Sequence, residues 1–188
     1  MRKGEGTSEV SGARARVEVN VDGNGDADPD SGSGFLDHML AALARMSEID
    51  IRPKAEGGIA AQRSRALGLA LGTALSAALG EKKGIKRYGW AAVPMDEALA
   101  QVALDLSGRP YLVMKGDFKN EIIGDLASQD VKTILEALAE EGRLTLNVKF
   151  EGENDHHKAE SIFKALGLAL KEAKRVEGTE VLSTKGVL

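Results

Sequence analysis

Three histidines and no cysteine bound the chemistry open to this chain. Two of them stand together in Asn154-Asp155-His156-His157-Lys158-Ala159-Glu160. On a helix, successive residues turn by about 100°, so His156 and His157 point apart and Glu160 projects between them. Asn154 or Asp155 is placed to cap the helix start. Two imidazoles in different directions with a nearby carboxylate suit two metal sites better than one. The same pattern also fits a solvated polar helix start. The third histidine, His38, sits in Phe35-Leu36-Asp37-His38-Met39-Leu40. Its apolar flanks fit a structural, hydrogen-bonded imidazole.

Cations suggest a second chemistry. Arg109 lies in Ser107-Gly108-Arg109-Pro110, Lys86-Arg87 precede a strand, and Ser183-Thr184-Lys185-Gly186 lie near the C-terminus. Arginine and lysine with a hydroxyl and a pliable backbone are what a phosphomonoester needs. Taken singly, each reads equally as surface charge. Two other patterns fail. The Asp22 to Ser33 stretch looks like a calcium loop, but Ala27 stands at its sharp-turn glycine and Ser33 at its bidentate glutamate. Gly32-Ser33-Gly34 lacks the spacing of a dinucleotide or nucleotide-phosphate loop.

Composition narrows the classes further. The 188 residues carry 25 Lys+Arg against 29 Asp+Glu, a net charge of -4, which argues against a nucleic-acid partner. The absence of cysteine removes disulfides, thiolate zinc sites and thiol nucleophiles and suits a reducing compartment. The least polar run, Ala66 to Gly80, is too short for a membrane span, and Gly4-Glu5-Gly6 follows the basic start where a secretory signal would be apolar. A cytoplasmic protein with no membrane partner is expected.

The elements that must position these residues follow from periodicity. Ala15, Val17, Val19 and Val21 alternate with polar residues and predict a strand, as do Ala100, Val102, Leu104 and Leu106, 85 residues later. Helical spacing covers Phe35 to Met46, Ala61 to Leu79, Val131 to Glu141 and His156 to Lys174, while Ile49 to Ala55 and Leu144 to Phe150 read as strands. Glu56-Gly57 matches Glu151-Gly152, and Ala70-Leu71-Gly72 matches Ala165-Leu166-Gly167, now at an offset of 95. The change of offset places about ten extra residues between Tyr111 and Ser128. The expected fold class is therefore α+β: two tandem β-β-α-β-α repeats, residues 1–84 and 85–188, packed as one compact unit.

With these segments in view, the chain resembles the imidazoleglycerol-phosphate dehydratases, the histidine-biosynthesis lyases. The resemblance rests on Gly34-Phe35-Leu36-Asp37-His38-Met39-Leu40, Val93-Pro94-Met95-Asp96-Glu97-Ala98-Leu99 and Asp105-Leu106-Ser107-Gly108-Arg109-Pro110-Tyr111-Leu112. It extends to the His156-His157-Glu160 motif and Ser183-Thr184-Lys185-Gly186-Val187-Leu188, in family order over nearly the whole chain. It implies a duplicated β-β-α-β-α fold, large homo-oligomers built from trimers, active sites between subunits and Mn²⁺ as cofactor. It also implies His38, His156, His157 and Glu160 as metal ligands, Glu97 near the reacting glycerol carbons, and Arg87, Arg109, Ser183 and Lys185 on the substrate phosphate.

The departures from that resemblance are concentrated. The family carries a second HHxxE motif, which the offset of 95 maps onto Ala61, Gln62 and Arg65. A family histidine falls on Asn147, and the first-repeat counterpart of Glu97 falls on Gly12. A guanidinium about 5 Å from a divalent cation costs on the order of several kcal/mol, so Arg65 is expected to oppose a metal in the vacated position, or to pair with a carboxylate such as Glu160 of another subunit. Two functions follow: a dehydratase with a reduced metal site, or a silent homologue. The latter would bind a phosphorylated ligand or serve as a shell subunit beside an active paralogue.

Overall fold

The computed structural model describes residues 1–183. It opens with β1 (Lys3–Val10) and β2 (Ala13–Asn20), then α1 (Gly34–Ser47), β3 (Asp50–Gly57) and α2 (Ala60–Leu79). The order then repeats as β4 (Tyr88–Met95), β5 (Ala98–Asp105), β6 (Tyr111–Lys115), a small hairpin of β7 (Ile122–Ile123) and β8 (Leu126–Ala127), α3 (Ser128–Gly142), β9 (Thr145–Glu151) and α4 (Asp155–Ala173). The first sheet is antiparallel in the order β1-β2-β3; the second runs β4-β5-β9-β6, with β6 parallel to β9. The α+β class and the repeated unit read from periodicity are both present. No described helix is long and apolar enough to cross a membrane.

The pairing shows where the extra residues went. Ala27 bridges Ile51 and Asp30 bridges Lys54 in parallel, so a short segment of the first half stands where β6 stands in the second. Shifting Ala27 and Asp30 by 85 gives Leu112 and Lys115; shifting their partners by 95 gives Leu146 and Lys149, which are also paired. The insertion therefore follows Lys115, in the stretch that carries the β7–β8 hairpin.

Alternation builds the sheets: Ala13, Ala15, Val17 and Val19 of β2 and Ala98, Ala100, Val102 and Leu104 of β5 are buried, with polar neighbours between them facing out. Strand β1 escaped that test because its inner face is Gly4, Gly6 and Ser8. A Cβ on Gly4 would lie 2.1 Å from the Ala74 carbonyl oxygen of α2, and one on Gly89 of β4 would lie 1.9 Å from that of Ala169 in α4. Only glycine lets backbone approach backbone so closely.

The helices lie against the inner faces, α2 on β1 and β2, α4 on β4 and β5, so the two long helices have equivalent sheet partners. Between them the halves exchange partners: α1 packs on α4, and α3 packs on α2. The matched glycines mark these crossings, Gly72 against the backbone of Leu138 and Gly142, Gly167 against that of Leu43 and Ser47. The α1–α4 crossing brings His38 to the histidine pair.

Candidate metal centre

Helix α4 starts where Asn154 takes extended backbone and its side chain accepts hydrogen bonds from the amides of His156 and His157, at 2.9 and 3.4 Å. Of the two caps open from sequence, Asn154 is the one used; Asp155 is the first helical residue. One turn on, Glu160 is buried, its side chain 8% exposed, with one oxygen turned to two imidazoles. Its Oε2 lies 3.2 Å from His38 Nε2 and 3.1 Å from His156 Nε2. The three donor atoms all lie within 4.8 Å of one another. Among the described residues, no other group of three or more His, Asp or Glu comes together in this way.

The donors fit a divalent cation. Ligands at about 2.0–2.2 Å from a common ion stand roughly 3–3.5 Å apart when adjacent, as the oxygen–nitrogen distances here do. Burial pushes the Glu160 carboxyl up, but Lys164 on Oε1 at 2.8 Å, with His38 and His156 on Oε2, outweighs it and holds the group at about 2. Glu160 is thus a carboxylate at neutral pH, the form that binds cations. His38 and His156 are half exposed, at 50% and 47%, so the cluster opens outward. Phe35 closes its inner side, meeting the His156 ring edge-on at 5.2 Å.

His157 belongs to a different group. Its Nδ1 lies 2.9 Å from Glu97 Oε2 and its Nε2 3.7 Å from Asp96 Oδ2, in the β4–β5 turn. The divergence expected from helical periodicity is present, with ring centroids of His156 and His157 6.0 Å apart. Glu97 Oε1 accepts from the amides of Asn154 and Glu153, at 2.7 and 3.0 Å. Those amides, together with His157, hold the Glu97 carboxyl at about 2, and Glu97 in turn raises His157.

Comparison with known proteins gives the chain a family. A family model described as imidazoleglycerol-phosphate dehydratase matches residues 31–170. The chain belongs to that family. A Methanosarcina mazei protein named imidazoleglycerol-phosphate dehydratase is 48% identical over 160 residues, 84% of each chain. One of that name from Clostridioides difficile is 44% identical over 161 residues, 84% of each chain. The crystal structure of the Pyrococcus furiosus dehydratase superposes with a TM-score of 0.85 at 34% identity, covering 97% of this chain and 99% of that one. The Staphylococcus aureus dehydratase gives 0.81 at 30%, covering 90% and 97%.

Within this dehydratase-family chain, the positions mapped onto the second HHxxE motif are otherwise occupied. Gln62 Oε1 accepts from the Ile59 amide at 2.9 Å and so closes the start of α2. Arg65 pairs with a carboxylate, as one of its two expected roles has it, but the acid is within its own chain: its Nη2 reaches Glu140 of α3 at 3.0 Å, with both side chains well exposed. The α2–α3 crossing supplies that acid, and a helix period does not reveal which neighbour a long side chain meets. Gly12 sits in the β1–β2 turn at φ 87, the counterpart of Glu97 in the β4–β5 turn. Asn147 faces outward on β9, opposite Ala103 and Val113.

The residues that the family resemblance assigns to phosphate lie elsewhere. Buried Arg87 donates from Nε and Nη2 to Asp105 at 2.6 and 3.0 Å, and from Nη1 to the Leu182 carbonyl, so it secures the segment leading into Ser183. Ser183 is described and Lys185 lies outside the described residues; Arg109 is exposed in the loop after β5. Arg87 stands beside the end of α4 and His156 at its start. The eight residues of β4 and β5 separate these ends by about 25 Å. Among the described residues, Arg87 and the His38–His156–Glu160 cluster do not converge within a single chain. Sequence reasoning also passed over Asp96, Lys164, Asp125 and the buried Asp155–Lys158 pair; only the change of repeat offset pointed to the region of Asp125.

Proposed function

We propose that this chain removes water from imidazole glycerol phosphate to give imidazole acetol phosphate, in histidine biosynthesis. The observation that carries the reading is the His38–His156–Glu160 cluster at the start of α4, in a chain of this family. A divalent cation held there, Mn²⁺ by family resemblance, supplies Lewis acidity to the imidazole ring, making a neighbouring carbon–hydrogen bond easier to break. Glu160 would contribute charge, and His38 and His156 nitrogen donors from two helices. Glu97, fixed by two backbone amides, orients His157 and, by family resemblance, lies near the reacting glycerol carbons. Asp105 fixes Arg87, Arg87 in turn positions the segment leading into Ser183 for the phosphate, and Arg109 offers a further cation from the loop after β5, with Lys185 assigned by family resemblance.

Imidazole glycerol phosphate spans only about 10 Å, far less than the distance between the two groups in one chain. That mismatch supports an active site shared between subunits; the large homo-oligomer built from trimers is what family resemblance implies, and a cytoplasmic setting without nucleic-acid or membrane partners is proposed with it. One cation position per chain is proposed, since Ala61, Arg65 and Gly12 offer no ordinary ligand and the Gln62 oxygen is already engaged. Turnover below that of relatives with both motifs follows. Those same positions favour a second reading, a shell subunit or phosphorylated-ligand binder beside an active paralogue.

Metal analysis of the purified protein, combined with a dehydratase assay in added Mn²⁺, tests these readings. One metal per chain with measurable turnover supports the reduced-site enzyme. Two per chain with full turnover overturns the single position, and no metal with no turnover supports the second reading.

A further inference from the structure

The insertion after β6 touches the first turns of both helices that carry the cluster. At the tip of the β7–β8 hairpin, Asp125 faces the start of α1: Ser33 Oγ and the Phe35 amide donate to Oδ1 at 2.6 and 3.0 Å, and the Gly34 amide donates to Oδ2 at 2.7 Å. A carboxylate on the free amides of a helix start satisfies groups the helix cannot. Beside it, Gly124 at φ 63 packs against Phe35, where an added Cβ would fall 2.9 Å from the Phe35 Cβ. Phe35 is the ring that meets His156. Ile123 and Leu126, on either side of this tip, are buried, so Asp125 is presented by a fixed hairpin.

The other end of the insertion is held by α4. Asp155 accepts from the amide of Lys119 at 2.9 Å, and from the amide and side chain of Asn120 at 2.7 and 2.8 Å. Lys158, almost fully buried, joins Asp155 at 2.5 Å and donates to the Asp117 carbonyl at 2.9 Å. One short segment thus grips α4 at residues 117–120 and α1 at residue 125. The pseudo-equivalent pair, α2 and α3, has no such strap among the described residues: α3 follows Ala127 without a side-chain cap, and the first half passes from Asp30 to α1 in a few residues.

We propose that Asp125 is a positioning residue that sets the start of α1 against α4, holding His38 and Phe35 where His38, His156 and Glu160 share one cation. The inference rests on the cation reading of the cluster and concerns only how the donors are held. The donors come from two helices of different halves, and outer partners that orient ligands are worth roughly 10–100-fold in metal affinity. Asp125 acts at that remove, through backbone amides one turn before His38.

The test is Mn²⁺ affinity of the full-length protein, by calorimetry or by electron paramagnetic resonance of free Mn²⁺, with thermal unfolding of the metal-free form measured in parallel. Asp50 supplies the control, because it also accepts three backbone amides, those of Asn24, Gly25 and Asp26, away from the cluster. Asp125→Ala is expected to weaken Mn²⁺ binding roughly 10–100-fold, and Asp50→Ala to leave it within about twofold even if it unfolds at a similarly lowered temperature. Asp125→Asn, which retains one acceptor and the hairpin, is expected to fall between and stands in should the alanine variant not fold. Equal losses for the Asp125 and Asp50 variants, or unchanged affinity at Asp125, overturn the proposal. Wild-type protein that binds no Mn²⁺ removes the cation reading and this inference with it. Binding without dehydration removes only the dehydratase reading.

Discussion

Two ends of this molecule are built on one plan and differ in almost every side chain that matters. At one, α1 crosses α4 through Gly167, and His38, His156 and Glu160 meet above the crossing. At the other, α3 crosses α2 through Gly72, and the counterparts of His156, His157 and Glu160 are Ala61, Gln62 and Arg65. There Gln62 caps its own helix and Arg65 pairs with Glu140. The difference separates what the scaffold needs from what the site needs. Small residues at the crossings and beneath the strands recur in both halves, whereas, among the described residues, the His–Glu cluster and the strap occur at one end.

The sharpest way to break this comparison is to write the first half into the second. The counterpart of Asp155 at an offset of 95 is Ala60, and that of Lys158 is Arg63, whose Nη1 donates only to the exposed Gly57 and Gly58 carbonyls. Asp155→Ala leaves the Lys158 ammonium buried without its carboxylate and is expected to destabilise the fold by about 3–5 kcal/mol. Arg63→Ala is expected to cost less than about 1 kcal/mol. Chemical denaturation of both variants checks the contrast, and equal losses would sink it.

Next comes the cluster itself. Glu160→Ala removes a ligand rather than an outer partner, so Mn²⁺ affinity is expected to fall more than about 100-fold, beyond the range for outer partners. A calorimetric titration measures it; retained binding would place the cation elsewhere. Arg65→Ala is the matching change at the other end. Because Arg65 is occupied by exposed Glu140, Mn²⁺ affinity should stay within about twofold and stability should fall by less than about 1 kcal/mol. A marked rise in affinity would restore the view that Arg65 repels the metal.

The smallest expected effect lies away from both ends. Arg2 grips Asp22, joining the N-terminus to the β2–α1 loop, and its Nη1 reaches the Lys174 carbonyl beyond α4 at 2.9 Å. The Arg2 side chain holds the Asp22 carboxyl at about 2, below the ordinary value near 4. A lowered folded-state value means stabilisation that is complete above about pH 4 and lost as pH falls toward 2. Asp22→Asn should flatten that part of the stability–pH curve while leaving the neutral-pH metal titration unchanged. Urea midpoints between pH 4 and 2 test it.

Much of this was legible in the sequence. The divergence of His156 and His157 followed from helix period, and the repeat followed from two offsets that the paired strands reproduce residue for residue. Strand β1 was hidden because its inner face is Gly4, Gly6 and Ser8, chosen for close approach to α2, so hydrophobic alternation has nothing to register. Asp125 and Asp155 were hidden for another reason. Several of their partners are backbone amides, which every sequence possesses, and those of Asp125 lie some 90 residues away. The separation of Arg87 from His156 was equally invisible, since charge type is written in the sequence but the end of the sheet it occupies is not.

The exchange of helices between halves also sets an order of events during synthesis. The apolar face of α1, with Leu36, Met39 and Leu43, is complete by Ser47, yet the helix it packs on ends at Ala173. At ribosomal rates of about 5–20 residues per second, that face waits roughly 6–25 s for its partner. The nascent first half is therefore a hydrophobic surface looking for a helix, and chaperone capture or pairing with a neighbouring nascent chain competes with correct folding until α4 emerges.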